Sequence, residues 1–524
     1  MLLRLIRQLI APGGAPARVA ADEDYRRSPR EWLRHGEALE RAGDLEGALR
    51  CYRACAAAHP ADLHARLAIV NALTAAWRMD ECIEACAQAL ALAPSNTEVF
   101  SGLLLYSHYA SRPDARALFD LHRRYGELAS RAFPARHDGA FASAEPERRL
   151  RVGYVSRNFS LHSVGYFIEP VVKHHDRSRY EVYCYYTHPD ADATSARIAA
   201  RADAWRQVHE DDADALAERI RGDSIDVLVD LGGHTKLNRL GAFAQRPAPV
   251  QATWLGYPDT TGVGAIDYRI TDGIADPAQS DLLHTERLMR LEPPFLCYRP
   301  ADDAPPVASR PRAREVVFGS FNILVKVNEP LIGWWARILA AVPGSRLVLK
   351  SRILDHEDAA SRLLACFAAA GIAADRLELR GWAAERAGHL GAYGDIDIAL
   401  DTYPYNGTTT TCEALWMGVP VITLAGDLHM SRVGASLLTA AGLGELVAGT
   451  PEEYVDAAVA LANDPARRHA YRSGMRQRLA AGPLLDHAGF TAKLERALRE
   501  AWRAWCATVA PAAGLPSQSQ SPWR

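Results

Sequence analysis

Four consecutive hydroxyl residues, Thr408 to Thr411, stand directly after a Pro/Asn/Gly turn in the segment Asp401-Thr-Tyr-Pro-Tyr-Asn-Gly-Thr-Thr-Thr-Thr-Cys-Glu413. The apolar run IDIALDT (396–402) predicts a buried strand ending near Asp401, and the threonines open a helix. Free amides and the positive end of the helix dipole then face the carboxyl edge of a sheet, which suits a phosphate. Glu413, one turn inside, is placed to accept hydrogen bonds from ribose hydroxyls. The plainer alternative is a threonine-capped helix with an acid near its dipole. A second candidate comes from lysine usage, since the chain has five lysines among its 60 basic residues. Lys326 follows the strand and turn FGSFNILVK, where open α/β sheets bind ligands, and a compact ammonium there stabilises a departing diphosphate. A solvated surface lysine is the alternative. Asn322 lies in the same turn and is a further donor-binding candidate.

Three histidines complete the set. His162 lies in the loop SRNFSLHS after the first predicted strand, and His234 in GGHTK after the third. Both are expected to face a cleft, where an imidazole can orient an acceptor or titrate near neutral pH, although a loop histidine is often structural. His389, in GHLGAYGDID before the IDIALDT strand, is expected to contact the donor from the other side.

These residues need a scaffold of parallel strands. LRVGYVS (150–156), YEVYCYYT (180–187), IDVLVDLGG (225–233) and VQATWLGY (250–257) form one predicted series. VVFGSFN (316–322), SRLVLKS (345–351), RLELRGW (376–382), IDIALDT and VPVITLAG (419–426) form a second. Strands alternating with helical stretches imply parallel sheets covered on both faces, hence two doubly wound domains facing a cleft, at 148–305 and 314–506. The second includes the C-terminal helices. Upstream, residues 28–130 are helical and repeat at the tetratricopeptide spacing of 34: Trp32, Gly36, Ala48, Tyr52, Cys55 and Pro60 are matched by Arg66, Val70, Cys82, Cys86, Ala89 and Pro94. A degenerate third unit is expected from Thr97 to about Ala129. Residues 1–27 are expected to form a short amphipathic or frayed segment, and 507–524 a disordered tail.

Composition excludes other classes. At 524 residues, 48% hydrophobic and 23% charged, the chain has the balance of a multidomain globular protein. A net charge of −3 gives no general attraction to nucleic acid or anionic lipid, so an anion must be bound locally. Nine scattered cysteines and the lack of a long apolar run fit a cytoplasmic protein without a membrane span. Cys51/Cys55 and Cys82/Cys86 fall at non-equivalent repeat offsets and are explained as small core residues rather than zinc ligands. No GxGxxG follows a strand, and GxxxxGK[ST], HExxH and GxSxG are lacking, so hydride transfer, P-loop hydrolysis and zinc proteolysis lose their usual support.

LRVGYVSRNFSLHSVGYFIE, RPAPVQATWLGYPDTTG, DYRITDGIADP, FGSFNILVKV and DTYPYNGTTTTCEALWMGVPVIT resemble the O-GlcNAc transferase and SPINDLY family. HSVGYFIE, GGHTK, LCYRP and GTTTTCE favour the SPINDLY branch. The resemblance implies a GT-B fold preceded by tetratricopeptide repeats, and a metal-independent, inverting transfer of one sugar, from UDP-GlcNAc or GDP-fucose, to Ser or Thr of a protein. It implies no cofactor, a nucleotide sugar and protein acceptors as partners, and acceptor binding through the repeats. By position, Lys326 resembles the diphosphate-binding lysine, Thr408, Thr409 and Thr410 the helix-opening phosphate contacts, Glu413 the ribose-binding acid and His389 a nucleotide-contacting histidine. His162 resembles an active-site histidine with an orienting or substrate-binding role. A second histidine of the animal enzymes falls near Arg221, which leaves a base role there unsupported. A repeat scaffold with an inactive transferase region, or a transferase with a non-protein acceptor, are the rival readings.

Overall fold

The structure is a computed structural model, and it describes residues 28–135, 143–310, 315–383 and 385–509. Residues 1–27 and 510–524, with the expectations placed on them, lie outside the described residues; residues 507–509, expected to begin the disordered tail, instead end the last helix.

Six helices come first: α1 (Pro29–Arg41), α2 (Leu45–Ala58), α3 (Leu63–Ala75), α4 (Met79–Leu92), α5 (Thr97–Ser107) and α6 (Ala115–Ala132). Asp44, Asp62, Asn96 and Asp114 cap α2, α3, α5 and α6 by accepting from backbone amides of the first turn. The helices pair as α1/α2, α3/α4 and α5/α6, so the degenerate third unit is a full helical pair.

The first sheet domain contains β1 (Leu150–Ser156), α7 (Ser163–His174), β2 (Tyr180–Tyr186), α8 (Ala193–Ala199), β3 (Ala204–Gln207), α9 (Ala213–Gly222), β4 (Val227–Asp230), α10 (Leu240–Ala244), β5 (Val250–Thr253), β6 (Tyr268–Asp272) and β7 (Arg287–Leu291). Its strands are all parallel in the order β3-β2-β1-β4-β5-β6-β7. The second contains β8 (Val317–Ser320), α11 (Glu329–Ala341), β9 (Arg346–Lys350), α12 (Glu357–Ala369), β10 (Leu377–Arg380), α13 (Arg386–Gly391), β11 (Ile398–Leu400), α14 (Thr409–Trp416), β12 (Val421–Leu424), α15 (Val433–Ala440), β13 (Val447–Ala448), α16 (Pro451–Ala462) and α17 (Pro465–Ala480). Its parallel order is β10-β9-β8-β11-β12-β13. The strand order reverses between β1 and β4 and again between β8 and β11, and ligands of open α/β sheets bind at such switch points.

All nine predicted strands are present. The additional ones are short edge or near-edge strands: β3 is half exposed along its length, and β7 reads RLMRL with two exposed arginines. Neither shows the continuous apolar run that marks a buried parallel strand. His234 consequently follows the fourth strand, not the third.

The final helix, α18 (His487–Val509), corrects the domain assignment. It crosses back to the first sheet domain, where Phe490 stacks on Trp254 at 5.9 Å and Glu495 accepts from the buried His175 at 2.9 Å. Arg499 donates to the carbonyls of Pro146 and Arg148. The apolar stripe of α18 is buried by covering one face of that sheet, which ties the two domains together.

The helical array docks on the first sheet domain through α6. Gly126 and Gly262 make this possible, because a Cβ on either would strike the other segment's backbone oxygen. A buried ring cluster fills the seam: His122 accepts from the Tyr257 hydroxyl at 2.8 Å, and His108 pairs with Asp259 at 3.0 Å. Burial holds the His122 pKa down at about 4, so that ring is neutral.

Candidate active site

The carboxyl ends of β8 and β11 flank the second switch point, and the candidate residues converge there. Asp401 is the hub. Its Oδ1 accepts from the amides of Thr402 (2.9 Å) and Gly407 (2.7 Å), and its Oδ2 accepts from the Thr423 hydroxyl at 2.7 Å. These bonds fold the 402–407 segment into a fixed turn that delivers α14 with its N-terminus toward the cleft. Gly407 is required by close approach: a Cβ there would lie 2.4 Å from Thr410 Oγ1 and 2.9 Å from Asn322 Oδ1. Burial raises the Asp401 pKa to about 6, opposed mainly by the Gly407 and Thr423 hydrogen bonds and further by the Lys326 charge.

Lys326 enters from the turn after β8. Its Nζ donates to the Asn406 carbonyl at 2.7 Å and stands 4.0 Å from the centre of the Tyr405 ring. Loss of water lowers its pKa to about 8, with Asp401 acting in the opposite direction. The ammonium is still mostly charged at neutral pH and only partly compensated, the state needed to bind an anion. Two residues of the helical array back this arrangement. Tyr109 stacks on Tyr405 at 5.5 Å with the rings 13° from parallel, and the Trp77 indole donates to the carbonyl of Val327 at 3.0 Å.

Lys326, Asn322, Thr408, Thr409, Thr410 and His162 line one cavity of about 230 Å³ between the two sheet domains. Thr410 Oγ1 donates to Asn322 Oδ1 at 3.0 Å, while Thr409 Oγ1 is buried with no hydrogen-bond partner among the described residues. The first amides of a helix have no partner within it, so α14 presents donors beside the Lys326 charge. No carboxylate lines this cavity among the described residues.

His162 faces these groups from the first domain, at the N-cap of α7. Its Nδ1 accepts from the Val164 amide at 3.2 Å, which places the ring hydrogen on Nε2. Crowding at the cleft mouth, aided by the Arg157 charge, lowers its pKa to about 4 although the residue keeps exposed surface. The ring is therefore a neutral Nε2–H donor, fitted to orient a ligand rather than to take its proton.

Glu413 and His389 lie together on the inner side of α14. His389 Nε2 donates to Glu413 Oε2 at 3.0 Å, and Lys350 Nζ donates to His389 Nδ1 at 2.6 Å. The imidazole thus links a lysine to a carboxylate, leaving Glu413 Oε1 without a hydrogen bond among the described residues. Burial lowers the Lys350 pKa, with Glu413 opposing.

His234 is a correction. The structure does not bring it into the cleft: it is 1% exposed, its Nδ1 is bonded to Ser101 Oγ at 2.9 Å and its Nε2 to the Thr261 carbonyl at 2.8 Å. Tyr125 and Tyr257 pack edge-on against it at 4.4 and 5.0 Å. The helical array covers the end of β4, and so converts a predicted cleft histidine into a seam residue.

Sequence reasoning missed Lys350, Tyr405 and His429. Lys350 ends a predicted strand and belongs to the same small set of lysines as Lys326, so the signal that selected one applied to the other. His429 lines the cavity from the 3₁₀ turn His429–Ser431, and its Nδ1 lies 2.6 Å from Oδ2 of Asp276, a buried carboxylate of the first domain. A contact between residues 153 positions apart leaves no local trace.

Comparison with known proteins agrees with this fold. The model of glycosyl transferase family 41 matches residues 131–298 and 309–494. The chain belongs to that family. A protein of Petunia hybrida described as a probable UDP-N-acetylglucosamine--peptide N-acetylglucosaminyltransferase SPINDLY is 40% identical to this family 41 chain over 423 residues, 80% of this chain and 45% of the relative. The corresponding SEC protein of Arabidopsis thaliana is 32% identical over 394 residues, 72% of this chain and 39% of the relative. The chain thus spans under half the length of these curated relatives. A solved structure of a mutant O-GlcNAc transferase of Thermobaculum terrenum superimposes with a TM-score of 0.83 at 37% identity, covering 94% of this chain and 100% of that one. No helix among the described residues of this family 41 chain is long and apolar enough to cross a membrane.

Proposed function

We propose that this chain transfers a single sugar from a nucleoside diphosphate sugar to the hydroxyl of a Ser or Thr in a protein, with inversion at the anomeric carbon. The observation that carries the reading is the convergence of a half-buried, partly uncompensated ammonium, Lys326, with the N-terminus of α14 on one cavity between the two sheet domains. The diphosphate lies against Thr408 to Thr410, and its negative charge grows as the bond to the sugar breaks. Lys326 and the α14 amides stabilise that growing charge more than the ground state, which is the condition for catalysis. His162 donates from Nε2 and orients the sugar or the acceptor. Glu413 Oε1 takes the ribose hydroxyls, with His389 and Lys350 holding the carboxylate in place. Metal-independent chemistry follows if these groups supply the positive charge.

For the donor we propose UDP-GlcNAc, the sugar nucleotide in the names of the curated relatives, with GDP-fucose as the competing donor suggested by the SPINDLY-like motifs. Acceptor proteins reach the cleft along the helical array, whose stacked pairs form a short groove. A cytoplasmic location suits these soluble donors. Incubating the protein with radiolabelled UDP-GlcNAc and GDP-fucose in parallel, with a Ser/Thr-containing protein extract, tests the proposal. Label transferred to protein by the wild type and not by Lys326→Met supports it; label with neither donor refutes it.

A further inference from the structure

The transfer proposed above needs a group to take the proton of the attacking hydroxyl, and none of the residues assigned so far can do so. His162 carries its hydrogen on the nitrogen that is free, and the cavity has no carboxylate among its described lining residues. His429 has the opposite arrangement. Its Nδ1 is held 2.6 Å from Asp276 Oδ2, and a hydrogen bond to a carboxylate puts the ring hydrogen on Nδ1. That leaves the Nε2 lone pair without a hydrogen bond among the described residues, on a ring that lines the same cavity as Lys326 and Thr408 to Thr410. Asp276 is itself fully buried, receives the Thr271 hydroxyl at 2.5 Å and has Arg269 at 4.0 Å. Against burial, the neighbouring His429, with Arg269 and His284 further off, holds this carboxylate ionised, well below the usual carboxylate range.

The geometry points to His429 as the general base, oriented by Asp276, with the pair assembled across the two sheet domains. The inference rests on the transferase reading and adds the missing proton acceptor. In the step, the Ser or Thr oxygen forms a bond to the anomeric carbon while the bond from that carbon to the diphosphate oxygen breaks. The hydroxyl proton passes to His429 Nε2, and the electron pair of the broken bond leaves with the diphosphate, which Lys326 and α14 stabilise. The resulting imidazolium is stabilised by Asp276, the arrangement by which a buried carboxylate supports a histidine base in hydrolases. Position is set from both sides. Phe295 packs edge-on against the ring at 5.3 Å, the Asn406 amide donates to the Met430 carbonyl at 2.8 Å, and Arg432 donates to the Ile274 carbonyl at 2.7 Å. The same turn therefore joins the loop that holds Lys326 to the loop that carries Asp276.

The test uses the full chain with the donor identified by the labelling assay and a Ser-containing acceptor. His429→Gln keeps a side-chain donor toward Asp276, and Asp276→Asn keeps the shape of the acid. The expected result is a fall in kcat of about 10²–10⁴ for His429→Gln. Donor KM and the Kd for the nucleoside diphosphate stay within about threefold, and added imidazole partly restores His429→Ala. A kcat for His429→Gln within about threefold of wild type overturns the assignment. So does a fall matched by equally weakened nucleotide binding without imidazole rescue, since the pair would then be only a tie between domains. If Lys326→Met is inactive while His429→Gln is normal, only this inference fails; if Lys326→Met is fully active, the transferase reading itself fails.

Discussion

Replacing Lys326 with Met removes the one ammonium that lines the cavity among the described residues while nearly keeping the length of the side chain. With its pKa at about 8, Lys326 is about nine-tenths charged at pH 7. A unit charge about 4 Å from a phosphate oxygen is worth about 4 kcal/mol at the effective dielectric of a partly buried site. Removing one preorganised donor from a developing oxyanion costs about 3–4 kcal/mol, or about 10²–10³ in kcat. Both routes give a kcat roughly a thousandfold lower in Lys326→Met. Nucleoside diphosphate binding, measured by calorimetry, adds a pH signature. Only the protonated lysine attracts the anion, so the wild-type Kd is flat below pH 8 and rises toward tenfold per unit above it, while the Met variant lacks that slope. Without ligand the sign reverses. Burial depresses the Lys326 pKa below its unfolded value, so the unfolded chain binds more protons between pH 8 and 10.5 and folding stability rises with pH in that window. The Met variant, with no charge to bury, has a Tm at pH 7 no lower than the wild type and lacks this rise. Turnover within threefold of wild type, or a pH-dependent Kd that survives the substitution, would refute the reasoning.

Glu413→Gln weakens a carboxylate already engaged by His389, and donor KM should rise about tenfold with kcat changed less, because ribose binding is made equally in ground and transition states. Steady-state kinetics at varied donor concentration check this. Tyr109→Ala removes the ring stacked on Tyr405 and should weaken nucleoside diphosphate binding by about tenfold in the wild type but not in Lys326→Met, with Tyr109→Phe near normal. Calorimetry on the double-mutant cycle decides it. His234→Ala should cost about 2–4 kcal/mol in chemical denaturation through lost packing and two lost hydrogen bonds, while kcat of the folded protein stays within threefold.

Much of the site was legible in the chain because its parts are local. Strand, turn and helix cap follow one another within 401–413, and a helix opened by threonines after a buried strand presents its amides to a sheet edge wherever it occurs. Lys326 was visible for the same reason, as a cation placed directly after a strand. The helical pairs were visible through their period. Tertiary structure decided what each loop faces. His162 and His234 occupy similar positions after parallel strands, yet the first lines the cleft and the second is sealed by α6 and its neighbours. The final helix covers the sheet of the other domain because its apolar stripe fits there, a choice that its own periodicity cannot encode. The His429–Asp276 pair and the Tyr109–Tyr405 stack belong to the same category. Periodicity and capping report forces that act within a few residues, whereas the tautomer of a histidine or the charge of a lysine depends on which distant surface removes its water, and that is settled only when the whole chain has packed.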